Sequence, residues 1–296
     1  MTELVQAENS VLQFKKWRIG AVTITRVIEV EAFALPPEDW FPIDTELVKK
    51  HGWLRPDFAD EDGHLLMTFQ AFVIESAGVK IMVDPCIGND KERKGDLFKP
   101  RHGPFLEHLA MAGFPCESID FVLCTHLHFD HVGWNTRLVD GEWIPTFPNA
   151  RYLFAKTEYE SAKTHQSFNA KATFADSIQP ILDAGLADLV ETNHRLNEEV
   201  WLEPTPGHTP GHCTVNILSG GEKAIMTGDM IHSPLQASEP DISTHFCEDP
   251  ALANLTRRAF LAQACNEQAL VLGTHFPEPT GVRICQHETV WRAYNS

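Results

Sequence analysis

The sequence has no run of about 18 apolar residues, the minimum for a membrane-spanning helix, so no such span is expected. Residues 1–13 carry Glu3 and Glu8 and show neither the basic start nor the apolar stretch of a secretory leader. No C-x-x-C pair occurs, and Cys86, Cys116, Cys124, Cys213, Cys247, Cys265 and Cys285 are odd in number and widely scattered. Reduced thiols in a cytoplasmic protein are therefore expected, and nothing in the spacing supports a thiolate metal site or a catalytic cysteine. Basic residues are scarce: 24 Lys+Arg against 41 Asp+Glu give a formal charge of −17. So acidic a chain repels phosphate backbones, which argues against nucleic-acid binding unless a local basic patch exists. The densest cationic run, Lys91, Arg93 and Lys94 around Glu92, reads as a solvated loop. Low-complexity linkers and short-period repeats are also missing.

What remains has globular composition, with 43% hydrophobic and 22% charged residues in 296. Strand and helix patterns alternate along the chain. Trp17 to Val30 alternates polar and apolar residues and reads as a strand or hairpin. Ala32 to Phe58, with Pro36, Pro37, Pro42 and Pro56, is too proline-rich for long helices. Strands are expected over Leu66 to Ser76 and Val79 to Asp84, then at Phe121 to Cys124 and Tyr152 to Ala155. Further strands are expected at Val200 to Glu203, Thr214 to Leu218, Lys223 to Thr227 and, last, Ala269 to Leu272. Gly220-Gly221 supplies a hairpin turn. Helices are expected over Pro104 to Ala112, Thr157 to Lys163, Ala175 to Ala184 and Asp249 to Asn266. Short strands interleaved with helices suggest two sheets with helices outside, in one domain spanning 1–296. Residues 1–65 would form a strand plus a Pro/Trp-rich extension to a core at about 66–276.

The densest chemical signal is Thr125-His126-Leu127-His128-Phe129-Asp130-His131, directly after the apolar strand FVLC. Alternate residues of an extended segment point the same way, so His126 and His128 can face one cation together. Asp130 and His131 follow where the chain turns and can face a second. One buried histidine is usually a satisfied core residue. Four metal-competent groups packed this closely are costly to bury without a cation. Three later segments repeat one design, a buried strand, a small residue and a ligand at its end. They are TPGHTPGH at 205–212, Thr227-Gly228-Asp229 and Gly273-Thr274-His275. Each is weak alone. Nitrogen and oxygen donors without thiolate suit Zn²⁺, and also Mn, Fe or Co.

The His-x-His-x-Asp-His run at 126–131, followed in order by His208, Asp229 and His275, resembles the metallo-beta-lactamase superfamily over about residues 66 to 276. The runs FPIDTELVKKHGW, VDPCIGND, GDMIHSP and GTHFPEPT resemble the branch of acyl-homoserine lactonases and methyl parathion hydrolase. The resemblance implies an α/β fold, a four-layer αβ/βα sandwich with the site at the sheet edges. It implies two divalent ions, one held by His126, His128 and His208 and the other by Asp130, His131 and His275, with Asp229 bridging. Asp84 matches a carboxylate that orients a ligand imidazole, and His212 an outer or structural position. Homodimer contact through the Pro/Trp-rich segment is compatible with the resemblance.

Relatives separate on single residues. The diiron oxidoreductases carry Glu at the position of His128, and the secreted beta-lactamases carry Cys at that of Asp229. Glyoxalase II relatives add C-terminal helices with basic residues, whereas only about twenty residues follow His275. The lactonases place a Tyr three residues after the bridging Asp; here His232 stands there, a candidate hydrogen-bond donor or proton shuttle. The expected reaction is attack by a metal-bridging hydroxide on an ester or lactone carbonyl, with Asp130 accepting the proton as the intermediate collapses. Phe129, Trp134 and the aromatics from Trp40 to Trp53 are candidates for an apolar pocket wall, although the last group is equally explained as core or dimer contact. A phosphotriester hydrolase is the alternative enzyme, and a metal-bound regulatory or binding module the alternative from another class.

Overall fold

A computed structural model of the chain describes residues 14–95 and 100–295. Residues 1–13, the start of the expected N-terminal extension, lie outside the described residues. Two sheets stack face to face. The first has seven strands in the spatial order Lys16–Ile19, Val22–Leu35, Leu65–Ser76, Val79–Val83, Phe121–Leu123, Arg151–Ala155 and Ala187–Val190. The second has six, Val200–Pro204, Cys213–Ser219, Glu222–Met226, Leu270–Leu272, Gly281–His287 and Val290–Asn295. Ile24, Phe72, Ile74, Ile81 and Leu123 of the first pack against Val215, Ile217, Ala224, Met226 and Leu272 of the second.

Each outer face is covered by helices. Phe105 and Leu109 of the helix Phe105–Met111, with Ile178 and Ile181, pack onto Val73, Met82, Val122 and Tyr152. Phe260, Leu261 and Ala264 of the helix Pro250–Glu267 pack onto Ile225, Val271, Val282 and Ile284. That helix starts where Asp249 accepts the Leu252 N–H at 3.0 Å and stops at Gln268, which takes a left-handed φ of 50°. The result is the expected αβ/βα order of four layers. Strands such as Leu65–Ser76 are buried on both faces, so they read as continuous apolar runs rather than alternations.

The departures have local causes. Ala269–Leu272 is not the last strand: Gly281–His287 and Val290–Asn295 follow it as a hairpin. A small hairpin, Thr136–Val139 with Glu142–Pro145, and the edge strand Ala187–Val190 also lie where no strand was expected. The helix expected from Ala175 begins earlier, at Phe168–Thr173, and passes through one wide turn at Phe174–Ile178 before Gln179–Asp183. Pro180 explains the turn, because it has no N–H to offer the Asp176 carbonyl four residues back. That carbonyl is taken instead by Lys91 Nζ at 3.0 Å and by the Thr136 hydroxyl.

This pairing corrects the reading of Lys91 and Arg93 as part of a solvated loop, whereas Lys94 is exposed as expected. Lys91 and Arg93 are buried. Arg93 forms two parallel bonds to the Asp176 carboxylate, at 2.7 and 2.9 Å, and the Lys91 ammonium sits 3.6 Å from the Trp143 ring centroid. Burial pulls Lys91 down from its ordinary 10.5 to about 7, against the opposing pull of the Asp176 charge. The folded chain thus releases this proton before the unfolded chain does. Stability contributed by Lys91 must rise as pH climbs from about 7 towards 10.5. Urea unfolding of wild type and Lys91→Met checks this: the difference should move in favour of wild type across that window, and a flat or falling difference contradicts a buried lysine that gives up its proton near pH 7 in the folded chain.

Candidate metal centre

Parallel pairing fixes where the site can be. Val79–Val83 runs parallel to Phe121–Leu123 in one sheet, and Glu222–Met226 runs parallel to Leu270–Leu272 in the other. Their C-terminal ends therefore lie at common edges, and the segments that follow carry Asp84, 126–131, Asp229 and His275. The two edges are tied together where the Cys213 N–H donates to the Thr125 carbonyl at 2.9 Å. His126 follows the strand at a bend, and His128 is extended, with φ −70° and ψ 156°, just before the helical turn. Asp130 and His131 lie in the single helical turn Phe129–Val132, where the chain was expected to turn.

Two groups of donor atoms result. His126, His128, His208 and Asp229 form one, and Asp130, His131, His275 and Asp229 the other, with the ligating atoms of each group within 4.8 Å of one another. Asp229 belongs to both. Its Oδ1 lies 3.0 Å from both His131 Nε2 and His275 Nε2, and its Oδ2 lies 3.4 Å from His208 Nε2 and 3.6 Å from His126 Nε2. The carboxylate of Asp130 is 3.6 Å from His131 Nε2 and from His275 Nε2. Most of the converging atoms are left unsatisfied: Nε2 of His126, His131 and His275 and Oδ1 of Asp229 are buried and lack a hydrogen bond of acceptable geometry, while His128 Nδ1 and His208 Nε2 pair with each other at 3.0 Å. Buried polar atoms are almost always bonded, so a converging set of orphans fits cations and fits little else.

The outer nitrogens are held. Asp84, at a left-handed φ of 50°, accepts from Thr125 N and Oγ1, both at 2.7 Å, and lies 3.0 Å from His131 Nδ1. His275 Nδ1 faces the Thr68 carbonyl at 3.1 Å, and Gln70 Nε2 donates to the carbonyls of Gly273 and Phe276. His212 belongs to neither group, although its ring lies 5.1 Å from that of His126. Its Nε2 accepts the Asp229 backbone N–H at 2.9 Å and its Nδ1 faces Thr205 Oγ1 at 2.8 Å. Burial pushes its imidazole down to about 3, so it is neutral and can accept that bond. Gly228 is required beside it, because a Cβ there would come within 2.6 Å of both His212 Nε2 and Thr125 Oγ1, at a φ of +52°.

Charge follows the same geometry. Burial pulls His126 and His208 well below 6.5, and neighbouring imidazoles add to the shift. Burial opposes protonation of His131 too, but the charges of Asp229, Asp130 and Asp84 prevail and raise it. For Asp229, burial favours the acid, and the surrounding imidazoles His131, His275 and His232 overturn that and hold it well below 3.8.

A cavity of about 430 Å³ opens onto the two groups. Phe129 lines it, with Trp40, Leu127, Ile178 and Phe246. His232 also lines it, buried, with Nε2 3.1 Å from Asp229 Oδ2 and its ring stacked on that of His275. Trp134 does not line it, which corrects its reading as a pocket wall. Its ring is buried and stacked on Phe105, and its Nε1 donates to Glu29 at 2.6 Å. Of the Pro/Trp-rich segment, Trp40 faces the cavity, 5.6 Å from the His275 ring, and Trp53 packs on the core instead.

Glu158 escaped the sequence reading. From the helix Lys156–Thr164 it accepts the N–H of Leu127 at 3.1 Å and of Gly211 at 3.0 Å, clamping the His126–His131 segment to the 205–212 turn. Burial pushes its carboxyl up to about 6, against those hydrogen bonds. A lone Glu on a mixed helix carries no sequence signal of that role. Glu158→Ala leaves two buried N–H groups unpaired and should cost about 1–3 kcal/mol for each. Thermal unfolding with and without added Zn²⁺ checks this: the variant should melt lower and gain less from the metal, and an unchanged response to metal would remove the clamp.

Comparison with known proteins agrees with this geometry. The model of the metallo-beta-lactamase superfamily matches residues 70–275. An N-acyl homoserine lactonase of a Bacillus species is 30% identical over 109 residues, 37% of this chain and 37% of the lactonase. The chain thus aligns with little more than a third of that relative's length. A probable metallo-hydrolase of Bacillus subtilis (strain 168), YflN, is 22% identical over 184 residues, 58% of this chain and 60% of that protein. Among solved structures, the hydrolase AbOPH of the beta lactamase superfamily superposes with a TM-score of 0.79 at 22% identity, covering 97% of this chain and 99% of that one. AidC, a dizinc quorum-quenching lactonase solved with a product N-hexnoyl-L-homoserine, gives 0.78 at 24% identity, covering 96% and 97%. At these identities the structural likenesses show a shared fold.

Proposed function

This chain belongs to the metallo-beta-lactamase superfamily, and from that membership we propose that it is a dinuclear metal-dependent hydrolase of ester or lactone bonds. The observation that carries the proposal is the shared carboxylate of Asp229 between two converging groups of donor atoms, four of which (Nε2 of His126, His131 and His275 and Oδ1 of Asp229) are buried without a hydrogen bond. His126, His128 and His208 would hold one divalent ion and Asp130, His131 and His275 the other, with Asp229 touching both. Zn²⁺ suits this nitrogen and oxygen set, as do Mn, Fe and Co. Bound there, a metal pair supplies a nucleophile from water near neutral pH and stabilises developing oxyanion charge.

The chain's own residues do the rest. As the tetrahedral species collapses and the bond to the leaving oxygen breaks, Asp130, on the cavity wall, takes the proton of the attacking oxygen and passes it to the leaving alkoxide. The alkoxide departs as the alcohol and the acyl part as a carboxylate. His232 lines the cavity beside Asp229, where the lactonases place a Tyr, and donates a hydrogen bond to the substrate carbonyl or leaving oxygen. Phe129 and Trp40 give apolar walls that exclude water and accommodate an apolar substituent of the ester. Asp84 and His212 orient, one through His131 and the other through the Asp229 backbone. A small-molecule ester or lactone fits a cavity of this size, and the names of the relatives favour the lactone.

Metal analysis with a panel of lactones, aryl esters and aryl phosphotriesters tests the proposal. Two equivalents of metal and turnover of lactones or esters are expected. Preference for the phosphotriesters would replace the proposed reaction, and metal without turnover on any of them would make the chain a binding module. Asp229→Ala should lose the metal pair and activity together; full turnover in that variant contradicts a dinuclear mechanism. His232→Phe should keep both metals and lose about 10²–10⁴-fold in kcat. Unchanged kcat would confine His232 to packing.

A further inference from the structure

The two groups of donors differ in what supports them from behind. In the group of Asp130, His131 and His275, the outer nitrogens face a carboxylate and a carbonyl, Asp84 at 3.0 Å and Thr68 at 3.1 Å. Two carboxylates, Asp130 and Asp229, face the same position. In the group of His126, His128 and His208, the supports are weaker. His126 Nδ1 faces the Thr125 hydroxyl at 3.2 Å, and that hydroxyl gives its own proton to Asp84. His128 turns Nδ1 inward, 3.0 Å from His208 Nε2, and its outer nitrogen has no acceptor among the described residues. His208 Nδ1 faces only the thiol of Cys247, at 3.6 Å, which is in turn 3.6 Å from the Thr244 hydroxyl. With Nε2 turned to a metal, Nδ1 of His208 carries the proton and must donate it to sulfur, a weak acceptor. A carboxylate or carbonyl behind an imidazole makes it a more basic and better fixed ligand than a thiol does. Only one carboxylate, Asp229, serves this second position.

We propose that the two metal positions bind unequally, the Asp130, His131 and His275 position being the tighter, and that Cys247 is the positioning residue that sets the affinity of the weaker. The proposal rests on the dinuclear reading above. It assigns a role to a half-buried cysteine 18 residues beyond the bridging aspartate, a spacing with no motif to mark it. Cys247 touches neither metal position directly; it acts through the orientation and basicity of His208.

Titration of the metal-free protein with Co²⁺, followed by visible absorption and by calorimetry, reads the two equivalents separately without reference to turnover. Wild type should bind one equivalent tightly and a second at least about tenfold more weakly, in line with the effect of outer partners on metal affinity. Cys247→Ala should weaken the second equivalent by about tenfold and leave the first unchanged, whereas Asp130→Ala should remove the tight phase. Cys247→Ser, which keeps an acceptor for the His208 proton, should restore the second equivalent and serves as the variant to read if the alanine form does not fold. Equal affinities in wild type, or a second equivalent indifferent to both Cys247 substitutions, would overturn the proposal and leave the dinuclear reading standing. Uptake of fewer than two equivalents by wild type would instead overturn the dinuclear reading.

Discussion

A single buried carboxylate, Asp229, stands between imidazole nitrogens that approach it from both sides, and the architecture around it makes sense as a means of keeping it there. Burying an anion is expensive unless positive charge shares the site. The structure meets that demand with donors from both sheets. His126, His128, Asp130 and His131 follow a strand of the first sheet, and His208, Asp229 and His275 follow strands of the second. Neither sheet alone assembles either group of donors, so packing of Ile24, Phe72 and Leu123 against Val215 and Leu272 also sets the geometry of the centre.

Around that carboxylate lies a layer of residues whose work is alignment. Asp84 fixes Thr125 and His131 together. His212 holds the Asp229 backbone, Thr68 and Gln70 hold the His275 segment, and Glu158 joins the two histidine-bearing loops across the sheet edges. Cys247, behind His208, is the soft member of this layer. Near-perfect convergence of the donors is what such a layer provides, and it costs less when the supporting residues are themselves buried and bonded.

How much of this was legible from residue order depended on how each residue signals. The converging donor set was legible because His126 to His131 concentrates polar, metal-competent groups directly after a buried strand, a pattern that packing does not explain. The later donors repeated its logic of strand, small residue and donor. The four-layer class was legible from strands interleaved with helices. What was lost is what depends on tertiary placement. Trp134 adjoins the histidine run and yet faces the core, because the turn at Phe129–Val132 rotates it towards Phe105. Lys91 and Arg93 look like solvent-facing charge until Asp176 arrives from a distant helix. The strand Gly281–His287 does alternate, with Val282 and Ile284 buried and Arg283 and Cys285 exposed, so its pattern was available but brief. Glu158 and Cys247 gave no signal, since a single Glu or Cys acquires meaning only from its neighbours in space.

The most direct measurement is anomalous diffraction from crystals of the metal-loaded chain at the absorption edge of the bound metal. Two peaks about 3.5–4 Å apart, one on each side of the Asp229 carboxylate, are the expected result. One peak away from Asp229, or none between the two histidine groups, would contradict the account at its root.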